Sequence, residues 1–183
     1  MKSEGVRLKA KPFELLFTQN EINRVISDLG EEISEDYEDK NPILLGVLKG
    51  CFVFIADLVR AISVPSEVEF ISAHSYGSGD KPGKLTLSGG PQVSLTRRHI
   101  LMVEGVVDTG RTAVSIMESL KSMEPASVEI VTLLNKTGRR ELEIEIKYSG
   151  FMIEKDFVIG YGLDHNQLYR NLPVIGKVVE FEK

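Results

Sequence analysis

The run Ile43-Leu44-Leu45-Gly46-Val47-Leu48 is apolar without interruption. A half-solvated strand would alternate, so this run predicts a strand covered on both faces. Ile100-Leu101-Met102-Val103 and residues 128–134 read as two more buried strands. Helical spacing lies around them. Ile22, Val25, Ile26, Leu29 and Ile33 predict a helix from 19 to about 36. Phe52, Ile55, Ala56 and Val59 predict a second, and Ala113, Met117 and Leu120 a third. Val68 and Phe70 alternate within a strand over 67–72, and 151–153, 157–159 and 174–179 are later strand candidates. Strands alternating with helices predict an α/β domain with a central, mostly parallel sheet flanked by helices. Ligands of such sheets sit beyond the carboxyl ends of the strands. That rule selects Leu48-Lys49-Gly50, Glu104 to Thr112, and Asn135-Lys136.

The remaining chain carries other signals. His74 to Pro91 holds five Gly and two Pro, which predicts a long loop. The net charge is -5, but residues 31–40 alone hold six acids and one Lys, and the rest is formally balanced. A protein built on phosphate-backbone contacts would show a basic surplus, so nucleic acid is not an expected partner. The single cysteine, Cys51, excludes an intrachain disulfide and a Cys-rich zinc site. His74, His99 and His165 form no metal-binding spacing. No apolar run approaches the roughly 20 residues of a membrane span, and the first residues lack a signal-peptide core. The expectation is one cytoplasmic domain over 1–183 without a membrane partner.

Chemistry concentrates in Val103-Glu104-Gly105-Val106-Val107-Asp108-Thr109-Gly110-Arg111-Thr112. An apolar strand runs through acids into a Thr-Gly-Arg-Thr turn and then a helix. Backbone N–H groups and hydroxyls at a helix N-terminus suit a phosphate dianion. Gly105 and Gly110 have the glycine spacing of a Walker A loop, but Arg111 stands where that loop needs Lys. Gly77-Ser78-Gly79-Asp80-Lys81-Pro82 fails the dinucleotide fingerprint at its last position and opens no helix. Glu104 and Asp108 do not suit a phosphate, so sugar hydroxyls, a metal or a base proton remain as their ligands.

The segment Val103 to Thr112 resembles the phosphoribosyl-pyrophosphate (PRPP) signature of the type I phosphoribosyltransferases, and the resemblance extends from about Glu21 to Val179. Leu48-Lys49-Gly50 is similar to the family's pyrophosphate loop, and Ser75-Tyr76 to the tip of its lid. Lys136, the segment Phe157 to Asp164, and Arg170 match its purine-binding and pyrophosphate-binding positions. The match is nearest among members acting on 6-oxopurines. It implies the type I phosphoribosyltransferase fold, with a lid at about 74–91 and a small hood from about 1–18 and 151–183.

The implied activity is purine salvage: transfer of the 5-phosphoribosyl group from PRPP to N9 of hypoxanthine or guanine, giving IMP or GMP and pyrophosphate. The resemblance assigns the 5-phosphate to Asp108, Thr109, Gly110, Arg111 and Thr112. Asp108 is also the catalytic group, taking the purine N7 proton. Ribose falls to Glu104. Pyrophosphate falls to Leu48, Lys49, Gly50, Ser75, Tyr76 and Arg170, with a cis peptide before Lys49. The purine falls to Lys136, Phe157, Val158 and Asp164. Glu104 and Asp164 are the implied ligands of Mg2+. A homodimer or homotetramer is the implied assembly.

One departure stands out. The family has two adjacent acids before Val-Val-Asp-Thr-Gly, and here the pair is Glu104-Gly105. The missing carboxylate implies weaker binding of PRPP or magnesium. It also leaves a second reading: a PRPP-responsive regulator on the same fold, with weak or lost catalysis.

Overall fold

The computed structural model describes residues 13–75 and 85–179. Among them, strands β1 (Phe13–Phe17), β2 (Ile43–Leu48), β3 (Glu67–Ser75), β4 (Leu85–Ser88), β5 (His99–Val107), β6 (Ser127–Lys136), β7 (Tyr148–Ile153), β8 (Val158–Ile159) and β9 (Ile175–Val178) form two sheets. Helices α1 (Gln19–Asp36), α2 (Phe52–Ala61) and α3 (Arg111–Lys121) pack on the larger one.

The larger sheet has the order β4-β3-β2-β5-β6-β7. Five of its strands run parallel, and β4 returns antiparallel along β3. The smaller sheet, β1-β9-β8, is antiparallel. The apolar runs are covered on both faces. Leu44, Leu101, Val103 and Val131 join one core with Ile22, Ile26, Phe54 and Leu58 of α1 and α2. Ile43, Leu45, Ile100 and Met102 join a second core with Ala113, Ile116 and Leu120 of α3.

Thr18 and Glu21 close a capping box at the start of α1, which satisfies two of its first-turn donors. Asn41, with φ 45°, turns the chain before Pro42.

Several boundaries differ from the sequence expectation. The stretch 74–91 is not all loop: β3 runs on to Ser75, and β4 pairs Ser88 with Ser72 and Leu85 with Ser75. The edge backbone of β3 needs partners, and the alternating Leu85-Thr86-Leu87-Ser88 supplies a strand for them. β5 continues through Glu104 and Gly105 to Val107, so the acid lies inside the strand. α3 begins at Arg111, before its first apolar residue. Residues 151–153 belong to β7 of the larger sheet, not to the terminal sheet. Phe157 precedes β8.

Candidate active site at the carboxyl ends of the strands

Parallel β2, β5 and β6 end on one edge, so Lys49, Asp108 and Lys136 converge there. Asp108, Thr109 and Gly110 make the bend between β5 and α3. Gly110 has φ +87°, and a Cβ there would lie 2.9 Å from the Leu142 carbonyl oxygen, so the turn needs glycine twice over. The Thr109 carbonyl accepts the Glu141 and Leu142 amides at 3.0 and 3.1 Å. Those bonds fix the bend against the segment after β6. The first-turn amides of α3 have no helical acceptor and point positive dipole outward.

A cavity of about 130 Å3 lies against this bend, lined in part by Glu104, Asp108, Thr109, Gly110 and Thr112. Five residues named from the sequence thus surround one space. Arg111 does not line it. Its Nε and Nη2 donate to Glu141 Oε2 at 2.7 and 2.5 Å, in a pair that is about half exposed on both sides.

Glu104 is 9% exposed, and burial pushes its carboxyl up to about 8. Asp108 Oδ2 accepts from Lys136 Nζ at 3.1 Å, while its Oδ1 is buried without a partner. Lys136 ends β6 and is 5% exposed. Arg140, which the motifs did not mark, donates from Nη2 to Asn135 Oδ1 at 2.6 Å and to the Lys136 carbonyl at 3.1 Å. Its Nη1 is buried and unpaired, and burial holds its guanidinium below the usual value.

The Leu48–Lys49 peptide is cis. Lys49 Nζ lies 3.5 Å from Gln167 Oε1, and Arg170 Nη2 donates to the same oxygen at 3.1 Å. Arg170 also pairs with Asp164 Oδ1 at 2.7 Å and donates from Nη1 to the Gly162 carbonyl at 2.8 Å. Asp164 Oδ2 accepts the Gln167 amide at 2.8 Å. Gln167 therefore joins Lys49, Asp164 and Arg170, although no spacing rule singles it out.

Phe157 is half exposed and meets His165 edge to face, with ring centroids 5.3 Å apart. It is a surface ring, not a core one. Val158 is buried in β8. The Tyr161 hydroxyl donates to Asp57 Oδ2, tying the segment between β8 and β9 to α2. Ser75 ends β3. Tyr76 lies outside the described residues.

Among the described residues, no group of three or more acidic, His or Cys side chains can hold a metal by itself. The donor set still fits magnesium, which takes one or two carboxylates and completes its shell with water and phosphate oxygens. Glu104 is a buried carboxyl at the cavity, and Asp164 is a carboxylate beside the cations.

Comparison with known proteins agrees with this geometry. A family model described as the phosphoribosyl transferase domain matches residues 15–166. A hypoxanthine phosphoribosyltransferase of Haemophilus influenzae is 39% identical, over 94% of this chain and 98% of its own. A hypoxanthine-guanine phosphoribosyltransferase of Streptococcus pneumoniae is 40% identical, over 91% of this chain and 93% of its own. A solved hypoxanthine phosphoribosyltransferase from Staphylococcus aureus superposes with a TM-score of 0.88 at 37% identity, covering 97% of each chain. Sequence, fold and strand-end chemistry agree, and the chain belongs to the phosphoribosyltransferase family, in its hypoxanthine-guanine group.

Proposed function

We propose that this protein transfers the 5-phosphoribosyl group of PRPP to N9 of a 6-oxopurine, hypoxanthine or guanine. The observation that carries the reading is the Asp108–Lys136 pair set beside the cavity of the phosphate bend. One group accepts a proton and the other offers only donors, at the carboxyl ends of neighbouring strands. A 6-oxopurine presents both counterparts: a proton at N7 and an acceptor at O6. Adenine would set an amino group against the Lys donors.

In this reading the amides of Arg111 and Thr112, with the Thr109 and Thr112 hydroxyls, hold the 5-phosphate. Glu104 takes ribose hydroxyls, for which a buried carboxyl lining the cavity is suited. Lys49 and Arg170 face the departing pyrophosphate, and the Leu48–Gly50 backbone shapes that subsite with Ser75 and Tyr76. Phe157 stacks on the base, and the Val158 carbonyl and Asp164 border it. The transition state gains from fixed charges around the leaving group and from exclusion of water. When bound, magnesium offsets the charge of the pyrophosphate. Asp108 accepts the N7 proton as N9 bonds to C1 of the ribose and the pyrophosphate oxygen departs.

The reading further implies a cytoplasmic dimer or tetramer. No helix among the described residues is long and apolar enough to cross a membrane. Sedimentation velocity reads the assembly.

The deciding experiment mixes protein, PRPP, Mg2+ and each oxopurine and separates the products by chromatography. IMP or GMP with stoichiometric pyrophosphate is expected. Absence of any nucleotide would reject the proposal.

A further inference from the structure

Gly105, the departure from the family's paired acids, packs against the pyrophosphate loop. A Cβ on Gly105 would stand 2.6 Å from the Gly50 carbonyl oxygen and 2.9 Å from its carbon. The same oxygen would stand 2.7 Å from a Cβ on Gly162. Both distances are shorter than real Cβ contacts allow, and the obstacle is backbone, which no rotamer relieves. Leu163 Cδ2 would stand 3.3 Å from the Cβ on residue 105. The Gly50 carbonyl is thus seated between the end of β5 and the segment that follows β8. Gly50 itself is less confined: a Cβ there would meet only Leu163, at 3.4 Å.

We infer that Gly105 is a positioning residue for the pyrophosphate loop, and that its missing side chain is what admits the Gly50 carbonyl to this seat. The inference rests on the transferase reading for its kinetic consequence, not for its packing. It replaces the simpler expectation that the chain merely lacks a ribose-binding carboxylate. An acid at 105 does not enter empty space. It displaces Gly50, and with it Lys49, whose ammonium belongs to the leaving-group subsite. Gly162 also crowds that oxygen, and its carbonyl accepts from Arg170. One carbonyl therefore sets the relative position of both candidate pyrophosphate cations.

The test compares wild type, Gly105→Ala and Gly105→Asp. KM is measured for PRPP and hypoxanthine in the forward direction and for pyrophosphate in the reverse. Misplacement of a binding group by about 1 Å costs up to roughly a hundredfold, so both variants should raise KM for PRPP and pyrophosphate by about tenfold or more, with a smaller change for hypoxanthine. KM does not depend on the fraction of active protein, so partial loss of folding leaves the comparison readable. The second readout is Cys51, the chain's single thiol, which follows Gly50 and is 0% exposed. Its labelling by a disulfide reagent should be slow in wild type and faster in both variants. This readout needs no catalysis, so a wild type that makes no nucleotide defeats the transferase reading while the packing is still tested.

A lower KM for PRPP in Gly105→Asp would overturn the inference, since the acid would then simply be missing. Unchanged KM values and unchanged Cys51 labelling in both variants would overturn it equally. If neither variant folds, Gly162→Ala presses on the same oxygen and should give the same split between pyrophosphate and purine; a change confined to the purine would count against the inference.

Discussion

Lys136 Nζ lies 3.1 Å from Asp108 Oδ2, across the carboxyl ends of the adjacent parallel strands β6 and β5. The ammonium is buried and the carboxylate keeps its other oxygen free of any partner. The pair is half-satisfied, and under the proposed function the unpartnered Oδ1 is the acceptor for a purine N7 proton.

Asp108→Asn removes that acceptor's basicity. General-base assistance is worth about 10²–10⁴-fold, and turnover should fall within that range. The amide still accepts from Lys136 but no longer balances its charge. Stability should therefore drop by about 1–2 kcal/mol, seen as a few degrees in Tm. Turnover within threefold of wild type would remove Asp108 from the chemistry.

Lys136→Met keeps the apolar stem and deletes the donor. A hydrogen bond to a charged group contributes about 1.5–3 kcal/mol, so KM for hypoxanthine should rise roughly tenfold to a hundredfold. KM for PRPP should change little. Equal losses for both substrates would mean that Lys136 serves the site as a whole and not the oxopurine.

Much of the fold was legible because burial leaves a period in the chain. The uninterrupted run 43–48 became β2, and the spacing of Ile22 through Ile33 became α1 with its bounds. The bend between β5 and α3 was legible because Thr109, Gly110 and Thr112 form it through local backbone. Gln167, Arg140 and Tyr161 were not. Their roles come from partners distant in sequence or from burial: Gln167 meets Lys49 and Tyr161 meets Asp57. No local pattern encodes such meetings. The partner of Arg111 was equally hidden, since Glu141 reaches it from another loop. Gly105 showed as an absence of charge, and only the fold reveals the carbonyl that needs the space.

The Tyr161 hydroxyl bonds to Asp57 from a residue with φ 50°, at the turn that precedes Gly162. Tyr161→Phe leaves packing intact and deletes the tether. Loss of one such bond costs about 1–3 kcal/mol, so Tm should fall by several degrees. If the tethered segment borders the purine, as the proposed function has it, KM for hypoxanthine should rise severalfold more than KM for PRPP. A Tm change with no kinetic change would limit the tether to stability.

Asp36 sits below its ordinary carboxylate value, chiefly because of Lys147 and then the Tyr148 hydroxyl, and Lys147 sits above its own because of Asp36. A lowered acid stabilises the fold above its unfolded value, near 3.8, and that contribution is lost as pH falls through the folded value. A raised Lys stabilises below its unfolded value, near 10.5, and loses the contribution as pH rises through the folded one. The Tm difference between wild type and Asp36→Asn should be level from about pH 5 to 9 and shrink below about pH 4. The pair is exposed and screened, so the plateau should not exceed about 1 kcal/mol, or 2–4 °C. A difference that persists at pH 2 would assign the effect to packing.

Arg111 and Gly110 make opposite predictions at adjacent positions. The Arg111–Glu141 pair is about half exposed on both sides, and pairs of that kind contribute about 0–1 kcal/mol. If the 5-phosphate is held by amides and hydroxyls, Arg111→Ala should change KM for PRPP by no more than about threefold, because its backbone N–H survives the substitution. Gly110→Ala puts a Cβ 2.9 Å from the Leu142 carbonyl at a φ of +87°. Opening that contact shifts the bend proposed to hold the phosphate, and a shift of about 1 Å should cost up to roughly a hundredfold in KM for PRPP. Measuring both variants side by side separates the two ways of holding the phosphate. A large loss in Arg111→Ala with a small one in Gly110→Ala would mean that the guanidinium leaves Glu141 to bind the ligand.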